Sequence, residues 1–251
     1  MKKPGQRSAD QVFLFIRRVF LDDAATTEIY TIEPYTLIEM PSDVTVGVIG
    51  VGSVETPYIT IAEATEGLCF KDPASSIIHY YDEMKTAGAD VMVVLSHNGW
   101  TDGGYGYGFT VYGDQTLAKM LNDAGKPVNL IIGGHSHTDI TSAVVVGSTT
   151  VVQAHYAGRK VGRADITYNP DTKAVSIVWT KLVVSTTGDK DPVIDTLITS
   201  YATDPDYLAL INEPIGYAQT DLYRNYNGDG MMGTFIQDAL YYQLNTDNID
   251  E

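Results

Sequence analysis

At 251 residues, 44% hydrophobic and 19% charged, the chain reads as a globular protein with room for one ordinary domain and part of another. Its 32 acidic residues against 16 basic ones give a net charge of -16, which argues against a surface for nucleic-acid polymers or anionic membranes, since phosphates would be repelled. The single cysteine, Cys69, excludes an internal disulfide and a thiolate-bound structural zinc site.

The start offers Lys2, Lys3 and Arg7, but the apolar stretch from Val12 to Ile16 is cut off by Arg17-Arg18 and is too short for a secretory leader. Residues 1–29 are expected to form a segment of their own. An extended piece is expected between Tyr30 and Met40, then a buried strand over Val44 to Val51 (VTVGVIGV). Pro73 opens a predicted helix with Asp72 as its cap, Ile77, Ile78, Tyr81 and Met84 as its apolar face, and Gly88 as its stop. Asp90 to Ser96 (DVMVVLS) reads as a second buried strand with His97 just past its end. Its apolar run, Val91 to Leu95, is as long as any in the chain and far too short to span a bilayer.

A loop rich in glycine and tyrosine follows, with the tyrosines of Gly104 to Gly108 (GYGYG) placed either to stack on a base or simply to pack. A helix is predicted over Asp114 to Ala124 and a third strand over Val128 to Ile132, running into Gly133-Gly134-His135-Ser136-His137-Thr138. Strand, helix, strand, helix, strand is an α/β pattern that gathers polar residues at the strands' carboxyl ends. Two hairpins come next, over Ala143 to Ala154 and Gly162 to Val184, and they suggest a second sheet packed on the first. Asp191 to Asn212 reads as a helix interrupted at Asp204-Pro205. A short strand is expected after Glu213-Pro214, then a helix over Met231 to Leu244.

The residues able to carry chemistry cluster at two strand ends. In extended backbone His135 and His137 would project to one side, and the two preceding glycines let the chain pass close to a ligand. Neutral imidazole is a good ligand for zinc, manganese or iron. Adjacent parallel strands would bring His97 to the same place. A lone histidine after a strand is by default a hydrogen-bonded surface residue, and His79 and His155 are read that way. Three at successive strand ends point instead to a metal site. Asp102, Asp114 and Asp139 lie nearby, but their spacing marks none as a bridge between ions, so each reads as loop solvation or a helix cap. Gly50 and Gly52 lack the third glycine of a dinucleotide fingerprint.

Four blocks, VGVIGVGSVETP (Val46 to Pro57), ADVMVVLSHNG (Ala89 to Gly99), LIIGGHSHT (Leu130 to Thr138) and VQAHYAGRKVGR (Val152 to Arg163), resemble in order and spacing the later motifs of the calcineurin-like metallophosphoesterase domain of 5′-nucleotidases and 2′,3′-cyclic-nucleotide phosphodiesterases. The resemblance implies an α/β fold of the α+β sandwich type, with two mixed β-sheets flanked by helices, and two divalent ions such as zinc or manganese. It makes His97 and His135 ligands of one ion and His137 a ligand of the other, and nucleotides or other phosphate esters the substrates. It also implies domain limits: a partial metallophosphoesterase domain over 30–190, a linker helix over 191–213, and from 214 the opening of a nucleotide-recognition domain. The family's Asp-x-His and Gly-Asn-His-Asp/Glu motifs do not occur in this chain, and its bridging Gly-Asp belongs upstream of the blocks matched here. The expectation is therefore a fragment or split product that carries part of a dinuclear site, holds metal only partially and has no assigned catalytic residue. Such a chain is weakly active or inactive alone and open to a complementing N-terminal half. The alternative is a non-catalytic homologue that binds metal or a partner. Export is implied by the resemblance alone.

Overall fold

A computed structural model describes residues 33–103, 110–225 and 228–246. The expected N-terminal segment 1–29 and the GYGYG loop lie outside the described residues. The chain divides into two units, Met1–Thr186 and Thr187–Glu251.

The first unit is built on a six-stranded sheet in the order β1-β2-β3-β4-β6-β5. Strands β2 (Thr45–Gly52), β3 (Val91–His97), β4 (Leu130–Gly133) and β6 (Thr149–Gln153) run parallel. β1 (Tyr35–Glu39) and β5 (Val144–Val146) close the two edges antiparallel. The central strands are apolar on both faces, as parallel strands covered on both sides require. Along β3, Met92 and Val94 face one core while Val91 and Val93 face the other.

Helices α2 (Pro73–Thr86) and α3 (Asp114–Asp123) cover the first face. Asp72 caps α2 by accepting the Ser75 N–H at 2.7 Å, and Ile77 and Met84 are fully buried. A side chain on Gly47 would meet Met84 Cε at 2.8 Å, so glycine there lets α2 lie close to β2. A short α1 (Thr56–Ile59) and a 3-10 turn (Ala62–Thr65), neither foreseen, lie between β2 and α2.

The other face is covered by β7 (Lys160–Tyr168) and β8 (Val175–Val183), a two-stranded antiparallel sheet whose Ile166, Ile177 and Trp179 pack on Val46, Val93 and Leu130. Only this second hairpin forms the second sheet. The first, β5–β6, joins the main sheet instead, because Val151 and Val152 are buried on opposite faces beside β4.

The second unit holds α4 (Pro192–Ala202), α5 (Pro205–Asn212) and α6 (Met231–Thr246). Asp191 and Asp204 cap the first two through their side chains, and the break falls at Asp204-Pro205. The strand expected after Pro214 is not formed: Ile215 and Tyr217 are almost fully exposed, with no strand to pair with among the described residues. No helix among the described residues is long and apolar enough to cross a membrane.

Candidate functional site

Four parallel strands end on one edge of the main sheet, and each delivers a polar residue there. Glu55 lies three residues beyond β2, His97 ends β3, His135 and His137 follow β4, and Gln153 ends β6. The register sets Gly52 opposite His97 and Gly133 opposite Gln153. His97 and His135 meet as expected, with ring centroids 5.2 Å apart and planes at 67°. Gly134 makes the approach possible: a Cβ there would sit 2.9 Å from His97 Nδ1.

The backbone after β4 corrects one expectation. His135 and His137 are not extended; their φ angles are 68° and 57°, in the left-handed region that non-glycine residues seldom occupy. Consequently they diverge. His135 Nε2 lies 2.7 Å from Glu55 Oε1, while His137 stacks on Tyr156 with centroids 4.7 Å apart. His155 stacks on the same tyrosine at 4.5 Å and donates its backbone N–H to Thr138 O, so it belongs to this neighbourhood. His79 is exposed on α2.

Gln153 braces the loop. Its amide nitrogen donates to Gly134 O, and its Oε1 accepts from Thr138 N and from Ser136 Oγ. Ser136 Oγ also receives the Trp100 N–H at 2.9 Å, which ties the β4 loop to the segment after β3.

The three aspartates differ sharply. Asp102 accepts from Gly113 N and Thr116 Oγ1 around the start of α3, a capping role. Asp139 bridges Lys160 and Lys181 and anchors the β7–β8 sheet beside the loop; those two ammonium groups hold its carboxyl down to about 2. Asp114 is neither loop solvation nor the helix cap, which is Gly113. It is wholly buried, takes the Ser96 hydroxyl at 2.5 Å, and burial pushes its carboxyl up to about 6. His97 has its pKa lowered, first by desolvation where neighbours screen the ring, then by repulsion from His135 and His137.

Glu55 and Gln153 escaped the sequence reading. Both sit inside quoted motif blocks, but nothing in their spacing distinguished them from packing residues. By donor type, imidazoles beside a buried carboxyl suit a divalent ion. By geometry, no group of three or more His, Cys, Asp or Glu among the described residues is arranged to hold one.

No protein-family model matches the chain. It is 28% identical over 235 residues to a cell wall protein of Listeria monocytogenes, covering 86% of this chain and 29% of the relative. Protein UshA of Yersinia enterocolitica is 30% identical over 216 residues, 76% of this chain and 38% of that one. A 5′-nucleotidase of Bos taurus is 22% identical over 231 residues, 82% and 36% of the two chains. Several of the curated relatives are 5′-nucleotidases. The 5′-nucleotidase precursor of Thermus thermophilus shares the fold, with a TM-score of 0.62, 23% identity, and coverage of 85% of this chain and 43% of that one. So does the calcineurin-like phosphoesterase YfkN of Bacillus subtilis, with a TM-score of 0.53, 21% identity, and coverage of 70% and 58%. This chain spans about a third of the length of the curated 5′-nucleotidase relatives it matches.

Proposed function

We propose that this chain serves the metal-assisted hydrolysis of phosphate esters, nucleotides foremost, as part of a longer parent protein. His97 and His135 are its ligands to one ion and His137 its ligand to the other. The observation that carries this reading is the meeting of His97 and His135 at the carboxyl ends of adjacent parallel strands, in a chain related to 5′-nucleotidases. Bound zinc or manganese would acidify a water and offset charge developing on the phosphoryl oxygens. The chain's own share is orientation: Gln153 fixes the β4 loop, Gly134 admits His97, and Glu55 holds His135. At a net charge of -16, a phosphate ester needs such local positive charge to approach. The proposed limits are a partial phosphoesterase domain over 30–190, a linker over 191–213 and the opening of a nucleotide-recognition domain from 214. An exported location accompanies the proposal.

The test is to purify the chain and assay AMP hydrolysis with added Mn2+ or Zn2+, and zinc binding by competition with a chromophoric chelator. Weak or no turnover is expected, together with zinc binding that His97→Ala and His135→Ala weaken. AMP turnover abolished by His135→Ala would refute the claim that the chain alone is incomplete. Zinc binding indifferent to all three histidines would refute the ligand assignment.

A second reading is a non-catalytic homologue that holds one metal or packs with a partner. It is favoured by the divergence of His137 toward Tyr156, which leaves no three donors together among the described residues. Size-exclusion chromatography separates the cases: a monodisperse monomer counts against a missing complementing half.

A further inference from the structure

Glu55 is a buried carboxyl that the proposed ligand set does not use. It is 2% exposed and stands on the turn after β2, where its backbone N–H is held by Ser53 Oγ at 3.2 Å. Taking an acidic side chain out of water is costly unless a partner receives it. The partner here is His135, whose Nε2 lies 2.7 Å from Oε1, while Oε2 has none among the described residues. A carboxyl kept only for packing would be expected to satisfy both oxygens, or to be replaced by an apolar group. The half-satisfied one points at the imidazole.

We infer that Glu55 is a positioning residue that takes the Nε2–H of His135 and thereby leaves Nδ1 as the nitrogen that meets the site's electrophile. An imidazole has two nitrogens, and a carboxylate can accept a proton's hydrogen bond but not supply one. Once Nε2 is committed as donor, only Nδ1 keeps a lone pair, as when a carboxylate orients a metal-binding histidine. The rest of the surroundings leave the ring little freedom. The His135 backbone is in the left-handed region at φ 68°. A Cβ on Gly99 would touch its Cδ2 at 3.5 Å, and the His97 ring closes another side. The inference rests on the proposed metal site for one thing only, the class of electrophile, a divalent cation.

The decisive measurement is the tautomer of His135 in the full chain at pH 8, read from long-range proton–nitrogen NMR spectra and assigned by loss of the signals in His135→Ala. The wild type is expected to show a protonated Nε2 and a bare Nδ1. In Glu55→Leu, with the fold verified by circular dichroism, that preference is lost and zinc affinity falls about 10–100-fold. Glu55→Gln, whose amide oxygen still accepts, restores the wild-type pattern. A wild type with bare Nε2 overturns the inference even if Glu55→Leu does not fold. So does a folded Glu55→Leu with an unchanged tautomer. If the tautomer follows Glu55 while zinc does not bind, the positioning role stands and the ligand assignment of His97, His135 and His137 falls.

Discussion

Asp114 makes the first unit sensitive to pH in a direction opposite to that of an ordinary salt-bridged carboxylate. It has no solvent exposure, its Oδ1 accepts only the Ser96 hydroxyl, and its Oδ2 has no partner among the described residues. Burial raises its pKa from 3.8 to about 6, with Ser96 and His135 opposing that rise. Because the folded value is the higher one, the folded chain binds the proton more tightly than the unfolded chain. The group's stabilising contribution is therefore complete below 3.8 and is lost as pH rises through about 6. A difference of about 2 on the pH scale, at about 1.4 kcal/mol for each, makes the whole effect about 3 kcal/mol. Roughly 2 kcal/mol of it falls between pH 4.5 and 7.5. In a chain of this size that corresponds to about 4–8 °C in melting temperature. Thermal melts of wild type and Asp114→Asn, with chelator present, isolate Asp114 together with its coupling to His135, since titrating groups that do not interact with it cancel in the difference. The variant should gain about 4–8 °C on the wild type between pH 4.5 and 7.5. A difference that stays constant over that range would refute the assignment of burial as the dominant cause.

Other expectations follow from the same edge of the sheet. Gly134→Ala would place a Cβ 2.9 Å from His97 Nδ1; overpacking of this kind costs about 1–3 kcal/mol, and zinc competition should show weakened binding in a chain that still folds. Gln153→Ala leaves the Thr138 N–H without its partner and Gly134 O with the Ser136 N–H alone, at about 1–3 kcal/mol for a donor left unsatisfied. Urea denaturation should report that loss, and amide exchange should speed up over residues 134–138. Asp139 has its pKa lowered to about 2 by Lys160 and Lys181, so its contribution is present above 3.8 and lost as pH falls through about 2. Asp139→Asn should flatten the acid limb of the melting curve, and high salt should have the same effect on the wild type.

How much of this was legible in the sequence depends on whether a residue's role is set by its neighbours along the chain or across it. Helix α2 was readable in full because Asp72, Pro73, Ile77 and Met84 act within four turns of one another. The meeting of His97 and His135 was also readable, since parallel neighbours gather their carboxyl ends whatever their side chains are. The strand expected after Pro214 failed for the converse reason. Ile215 and Tyr217 alternate as strand residues do, but alternation describes a face, and no strand among the described residues offers one an edge. The hairpin over Ala143 to Ala154 was read correctly as a hairpin and placed in the wrong sheet. Burial of Val151 and Val152 on both faces is visible only once β4 lies beside them. At the site, an i, i+2 rule valid for extended chain was applied to His135 and His137, whose left-handed φ angles void it. The glycines at 133 and 134 announced a sharp departure from the strand without fixing its hand. Glu55 is 80 residues from His135 in sequence, and its contact exists because β2 and β4 flank β3 in the order of the sheet. Strand order thus decides that His135 Nε2 meets a carboxyl. The chemistry of the site is set by a relation among three strands that no local motif encodes.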